Sequence, residues 1–110
     1  GWDRFWRTEA YFADHPFLTA AAAQLLIDGG AAFVGIDSHN IDDTCVRARP
    51  VHTLLLGADI PIGEHLTGLR RLPDSGFRFS AVPPKFRGMG TFPVRAFAVL
   101  SRVPAPAMRE

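Results

Sequence analysis

Residues 19–43, TAAAAQLLIDGGAAFVGIDSHNIDD, decide the fold class. Ala, Leu and Gln favour a helix over residues 20–28, Thr19 is a suitable N-cap, and Gly29-Gly30 supply a C-terminal stop. The apolar run at 31–36 has the length and composition of a short buried strand. A helix that leads directly into a buried strand is typical of a layered α/β or α+β fold.

Outside this stretch the chain is predicted to form short elements separated by breaks. In order, these are a helical turn or two over 51–56, a brief strand over 59–62 that delivers Glu64, a short helix over 66–72 closed by Pro73, strands over 77–82 and 93–103, and a frayed tail over 104–110. We see no internal repeat, and the default interpretation of residues 1–110 is a single unit.

The composition is that of a globular protein, with 47% apolar and 21% charged residues. Twelve Lys plus Arg against eleven Asp plus Glu give a formal net charge of +1, which argues against a nucleic acid partner. Cys45 is the only cysteine, so neither an intrachain disulfide nor a thiolate zinc cluster is expected. Without an 18-residue apolar run or a signal-peptide pattern, we predict a cytoplasmic protein with no membrane partner.

Large aromatic rings crowd the N-terminal segment. They are Trp2, Phe5, Trp6, Tyr11 and Phe12. Rings at this density either pack on the core or a subunit interface, which is the more frequent case, or form a wall of a binding site. In the second case Trp2, Phe5, Trp6 and Tyr11 are the predicted substrate-binding residues.

His52 and Glu64 are the candidate metal ligands. They stand twelve residues apart, each at a boundary between predicted elements. An imidazole nitrogen and a carboxylate oxygen are good ligands for Zn or Mn, and two protein ligands suit a catalytic ion with open positions. By spacing alone, a surface glutamate and a histidine with a satisfied hydrogen bond are the more frequent explanation.

The polar loop at 37–43 offers two further candidates. His39 and Asp42, three residues apart, resemble a metal pair but are better explained as a turn built from polar side chains. Asp37 follows the predicted strand. It either holds the loop through backbone amides, which is the favoured interpretation, or orients a metal ligand through a hydrogen bond. His15 and His65 have no companion at a telling distance and are expected to be ordinary structural residues.

Phosphate-binding and nucleophilic chemistry lack a supporting pattern. The pair Gly29-Gly30 follows a predicted helix instead of joining a strand to a helix, so it is not a phosphate loop. No serine has the glycine pattern of a nucleophile elbow, and Cys45 has no evident base.

Several segments, read in order, resemble the cyclase family of metal-dependent hydrolases, which includes kynurenine formamidase and isatin hydrolase. They are GWDRFW at 1–6, YFADHPFL at 11–18, VGIDSHNID at 34–42, VHTLLLGADIPIGEHLTGLRRLP at 51–73 and FRFSAVPPKFRGMGTFPVRAFAVL at 77–100. No single segment is decisive, but the ordered series is fairly specific and covers nearly the whole chain.

The resemblance implies a fold and a chemistry. The family fold is a mixed sheet curled into a barrel with helices outside, of which this chain would encode the C-terminal half. A binuclear zinc site takes ligands from an upstream H-x-G-T-H-x-D motif, and His52 and Glu64 match its later histidine and glutamate. The implied reaction is attack of metal-activated water on an aryl formamide or cyclic amide.

Departures from the family pattern affect both the metal site and the substrate. The chain contains no H-x-G-T-H-x-D, and it has His39-Asn40 where Pro-Ser is usual and Met89 where a small or acidic residue is usual. Alone, it is not expected to hold two metals. We therefore expect association with a missing N-terminal half, or homo-oligomers that cover exposed strand edges. The alternative function is a catalytically inactive remnant or interaction module.

Overall fold

The computed structural model describes residues 1–101, and the chain divides into two compact units, Gly1–Leu69 and Arg70–Glu110. The first unit contains α1 (Ala20–Asp28), β1 (Val34–Gly35), α2 (Pro50–Gly57) and β2 (Ile62–Gly63); the second contains β3 (Phe77–Ala81) and β4 (Ala96–Leu100). Single 3-10 turns cover Trp2–Phe5, Glu9–Phe12 and Leu69–Arg71. Helices and short strands together make an α+β fold. The interpretation of 1–110 as one portion of a larger domain stays a prediction.

The first helix has the predicted bounds and caps. Oγ1 of Thr19 accepts the N–H of Ala22 at 3.1 Å, which satisfies one of the unpaired amides of the first turn. Gly30 has a φ of +78°, a conformation that ends a helix readily when no Cβ is present. The prediction for α1 is therefore confirmed.

The core of the first unit lies between α1 and α2. Its buried members are Ala23, Val34, Ile41, Val51, Leu55 and Ile60. Ile41 belongs to the loop that follows β1, so burial of its side chain anchors the polar loop beside the N-terminus of α2. The predicted helical segment at 51–56 is confirmed as α2.

The strand predicted over 31–36 is confirmed only in part, because β1 covers Val34–Gly35. The strand predicted over 59–62 is wrong in position: β2 is Ile62–Gly63, because the N–H groups of Asp59 and Ile60 bond back to α2. β1 and β2 are parallel, with Val34 paired to Ile62 and Gly35 to Gly63. Ile36 continues the pairing, since its N–H donates to the carbonyl of Gly63 at 2.9 Å. The carboxyl ends of both strands therefore meet at one edge, where the polar loop and Glu64 begin.

The short helix predicted over 66–72 is wrong in extent, because only the 3-10 turn Leu69–Arg71 forms. Gly68 has a φ of +72°, outside the helical region, and its N–H donates to Oδ2 of Asp3 at 2.9 Å. Both features take residue 68 out of a helical hydrogen-bond ladder.

In the second unit β3 and β4 form an antiparallel pair with Phe77 opposite Leu100 and Ala81 opposite Ala96. The strand predicted over 77–82 is confirmed, and that predicted over 93–103 is confirmed for its central residues. Residues 102–103 and the predicted tail over 104–110 lie outside the described residues. Over residues 1–101 the strands form two separate pairs and no closed barrel. No helix in that range is long and apolar enough to cross a bilayer.

Candidate functional site

The two predicted metal ligands lie together in the first unit. Nε2 of His52 is 3.2 Å from Oε1 of Glu64. His52 occupies the first turn of α2, and Glu64 directly follows β2. Both side chains are partly exposed, at 23% and 26%, so the pair is accessible to solvent.

A third residue, Asp42, holds His52 from the opposite side. Oδ2 of Asp42 lies 2.7 Å from Nδ1 of His52, and the carboxylate also accepts the backbone N–H groups of Val51 and His52 at 2.8 and 2.9 Å. Arg49, the N-cap residue of α2, offers no side-chain cap. Asp42 therefore caps this helix from outside, and the helix N-terminus favours its negative charge.

Asp42 is buried and is favoured as an anion. Burial alone would raise the pKa of the Asp42 carboxyl, but the hydrogen bonds from the His52 and Val51 amides and from the His52 ring outweigh it, so the pKa is lowered. A carboxylate can only accept hydrogen bonds, so Nδ1 of His52 carries a proton. Nε2, the other ring nitrogen, faces Oε1 of Glu64.

Glu64 is positioned by the polar loop. Its Oε1 accepts the N–H of Ile41 at 3.0 Å. Ile41 is fully buried, so the donor amide belongs to a well-anchored segment. Both partners of the pair are thus fixed by neighbouring backbone, a condition for a preorganised site.

The separation of the two side-chain atoms is compatible with one shared divalent ion. Metal–ligand bonds of about 2.0 to 2.2 Å in a tetrahedral site put neighbouring ligand atoms roughly 3.3 Å apart, close to the observed separation. A histidine that donates its other ring proton to a carboxylate is the usual form of such a ligand. No group of three or more His, Cys, Asp or Glu suited to a metal occurs within residues 1–101.

Asp37, the predicted orienting residue, has backbone partners. Its Oδ2 accepts from the nitrogens of Gly1 and Trp2 at 2.8 and 2.7 Å. Burial would raise the pKa of Asp37, but these hydrogen bonds and the adjacent amino group lower it. Asp42, and not Asp37, is the carboxylate in contact with His52, and the orienting role of Asp37 stays a prediction.

The predicted substrate-binding rings divide into two contacting pairs. Trp2 lies against Phe5, with ring centroids 4.7 Å apart, and Trp6 meets Tyr11 edge-on at 5.2 Å. Tyr11 is 1% exposed, so its ring belongs to the interior, whereas Trp6 is 49% exposed. A substrate-binding role for these four residues stays a prediction.

Two residues in or beside this site were missed in the sequence. The sequence around Asp42 predicts a polar turn, although the Pro50 that starts α2 signals that a helix N-terminus lies nearby and needs a capping group. His65 was assigned an ordinary role, yet its Nδ1 lies 3.0 Å from the hydroxyl of Tyr11. No local sequence signal indicates that contact, because the two residues are 54 positions apart.

Searches of family models, curated proteins and solved structures found no match to this chain. The likeness to the cyclase family therefore depends on the segments quoted above and stays a prediction. The contacts among Asp42, His52 and Glu64 carry the functional proposal.

Proposed function

We propose that this chain is part of a metal-dependent hydrolase that acts on an aryl formamide or a cyclic amide. His52 and Glu64 hold a Zn or Mn ion, and its remaining ligands come from an upstream segment of the H-x-G-T-H-x-D type. The proposal depends on the two contacts of the His52 ring. The buried Asp42 carboxylate contacts Nδ1 and orients the imidazole, and the accessible Glu64 carboxylate faces Nε2.

Each side chain has a defined task. Asp42 keeps the proton of His52 on Nδ1, so that Nε2 offers a lone pair. Glu64 supplies a negatively charged oxygen beside that lone pair, and its bond from Ile41 limits its movement. A bound divalent ion would supply a water of lowered pKa and would polarise the substrate carbonyl.

Aromatic side chains supply the apolar part of the proposed site. The ring of Trp6 is half exposed and is supported from behind by buried Tyr11. A flat aryl group of a substrate gains contact area against such a ring at little entropic cost. Trp2 and Phe5 extend this wall in the proposal.

The remainder of the barrel and its assembly belong to the same proposal. β4 exposes apolar side chains, with Phe97 at 46%, Val99 at 57% and Leu100 at 48%. A two-stranded sheet with apolar side chains facing solvent is marginal by itself. We therefore propose that the missing half of the domain, or a second copy of the chain, covers this sheet in a cytoplasmic assembly.

Metal analysis tests the proposal. The chain is purified alone and together with an upstream segment carrying H-x-G-T-H-x-D, and bound Zn and Mn are quantified by mass spectrometry. We expect stoichiometric metal with the segment present, and its loss in His52→Ala and Glu64→Gln. Glu9→Gln, at an exposed glutamate of the same unit, is the matched control and should retain metal.

Absence of metal from every preparation would overturn the hydrolase proposal. That outcome would favour the alternative in which the chain is an inactive interaction module. Metal retained in full by both His52→Ala and Glu64→Gln would place the binding site elsewhere.

A further inference from the structure

His65 has a backbone conformation that a histidine seldom adopts. Its φ is +58°, in the left-handed region. Two backbone hydrogen bonds hold this conformation. The N–H of His65 donates to the carbonyl of Ser38 at 2.8 Å, and the N–H of Leu66 donates to the carbonyl of Ile36 at 3.1 Å. Such conformations persist where the surroundings impose them, and they are frequent at functional sites.

The imidazole of His65 is fixed by aromatic neighbours. Nδ1 lies 3.0 Å from the hydroxyl of Tyr11, and the two rings are nearly parallel, 19° apart, with centroids separated by 5.8 Å. The Trp6 ring meets His65 at 71° with centroids 5.8 Å apart. One ring nitrogen and the ring plane are therefore both determined.

His65 is held by Tyr11 and Trp6 although its own side chain is exposed. His65 is exposed, whereas the Tyr11 ring that supports it is buried. Exposed side chains usually gain little from being held in one place, and a strained backbone adds a cost. A rigid, solvent-facing imidazole next to Glu64 in sequence has the properties of a group arranged for a ligand.

Among residues 1–101, the side-chain hydrogen bond of His65 is made through Nδ1, which leaves Nε2 available to a ligand. The hydroxyl of Tyr11 is 3.3 Å from the carbonyl of Asp37 as well as 3.0 Å from His65, and it has one proton to donate. If the proton goes to Asp37, Nδ1 of His65 donates to Tyr11 and Nε2 accepts from a ligand. If it goes to His65, Nε2 carries the ring proton and donates.

We propose that His65 is a substrate-binding residue, whose Nε2 hydrogen-bonds to the amide of an aryl amide while the aryl ring lies against Trp6. The substrate class rests on the proposed function. Trp6 and His65 are in contact, so one small ligand can reach the half-exposed indole and the imidazole together. An aryl amide carries its polar amide group directly on the ring, which matches this pairing of a flat surface with a polar atom.

Binding of acetanilide to the metal-free full chain tests the inference by NMR. This probe has the aryl ring and the amide but is not a formamide. We expect saturable shifts of the His65 imidazole and Trp6 indole signals. N-cyclohexylacetamide, which keeps the amide and lacks the aromatic ring, should bind several-fold more weakly.

Two matched variants separate binding from a structural role. In His65→Asn the side-chain amide replaces Nδ1 and tolerates the left-handed backbone, so contact with Tyr11 is kept while the position of Nε2 is lost. In His65→Gln a polar nitrogen or oxygen reaches the position of Nε2. We expect about a tenfold loss of acetanilide affinity in His65→Asn and at most a threefold loss in His65→Gln, since one hydrogen bond is at stake.

The inference would be overturned if His65→Asn bound acetanilide as tightly as the wild type. It would also be overturned if acetanilide changed NMR signals of other residues but not those of the His65 imidazole. The outcome is independent of metal. If the chain binds the probe but retains no metal, the hydrolase proposal fails and the role of His65 in ligand binding stands. If it retains metal but does not bind the probe, the hydrolase proposal stands and the role of His65 fails.

Discussion

Oδ2 of Asp42 lies 2.7 Å from Nδ1 of His52, and the same carboxylate accepts the N–H groups that begin α2. One buried side chain therefore caps a helix and sets the proton position of a candidate ligand. A change at Asp42 is therefore expected to affect both the stability of the first unit and the position of the His52 ring.

Replacement of Asp42 by Asn should destabilise the fold. The amide keeps the shape but loses the charge that the ring and two backbone amides stabilise. We expect the free energy of unfolding to fall by about 1 to 2 kcal/mol at pH 7, measured by urea denaturation. Asp43→Asn is the control. Within residues 1–101 the Asp43 carboxylate accepts one hydrogen bond, from the amide of Cys45, and Asp43 is less buried, so the substitution should cost about 0.5 kcal/mol or less. Equal losses in the two variants would contradict the capping role.

The contribution of Asp42 should depend on pH in one direction. Hydrogen bonds to Asp42 lower its pKa in the folded state despite burial, so the carboxylate stabilises the fold above the unfolded pKa of about 3.9. That contribution is lost as the pH falls through the folded pKa. The difference in unfolding free energy between wild type and Asp42→Asn should therefore shrink as the pH falls below about 4. A difference that stays unchanged through this acidic range would oppose this assignment.

Two adjacent leucines of α2 provide a test of the core. Leu55 is fully buried, whereas Leu56 is 54% exposed. Leu55→Ala should cost about 2 to 5 kcal/mol, because it removes apolar contacts and leaves a cavity. Leu56→Ala should change the unfolding free energy by about 0.5 kcal/mol or less. Chemical denaturation of both variants measures the difference, and similar costs would mean that α2 packs through a different face.

Glycine is required where β2 passes Phe33. A Cβ built on Gly63 would lie 2.6 Å from Cζ of the Phe33 ring, whereas one on Gly57 would meet nothing within 4 Å. Gly63→Ala should therefore destabilise by about 1 to 3 kcal/mol through overpacking. Gly57→Ala, in the last position of α2, should stabilise by about 0.5 to 1 kcal/mol. Thermal unfolding of both variants shows whether each substitution raises or lowers stability. A more stable Gly63→Ala variant would contradict the close approach of Phe33 to Gly63.

Local signals predicted the elements whose ends are determined locally. Thr19 and Gly30 border α1 in the sequence and do so in the structure, so helix and caps were readable together. The helix predicted over 66–72 does not form in full, because Gly68 lies in a turn whose N–H donates to Asp3, 65 positions away. A propensity argument has no access to such a partner.

The candidate site was predicted in part for the same reason. His52 and Glu64 were singled out by ligand chemistry and by resemblance, and folding brings them within 3.2 Å. The cap supplied by Asp42 and the pairing of Tyr11 with His65 depend on how loops cross in three dimensions. Spacing along the chain carries no record of these contacts.

Energetic coupling between Tyr11 and His65 provides the last test. Burial raises the pKa of Tyr11, with further contributions from the charges of Asp37, Asp3 and Glu64, so the hydroxyl stays protonated at neutral pH. Tyr11→Phe removes this group from both His65 and the carbonyl of Asp37, and it should cost about 1 to 2 kcal/mol.

A double-mutant cycle isolates the part of that cost shared with the imidazole. Tyr11→Phe, His65→Ala and the double variant are unfolded in urea, and we expect a coupling energy of about 0.5 to 1.5 kcal/mol. Phe12→Leu combined with His65→Ala is the control cycle, because Phe12 contacts Tyr11 but makes no hydrogen bond to His65 in the described part of the chain. Coupling near zero in the Tyr11 cycle would mean that the hydroxyl does not hold the ring, and the preorganisation of His65 would then lack its main support.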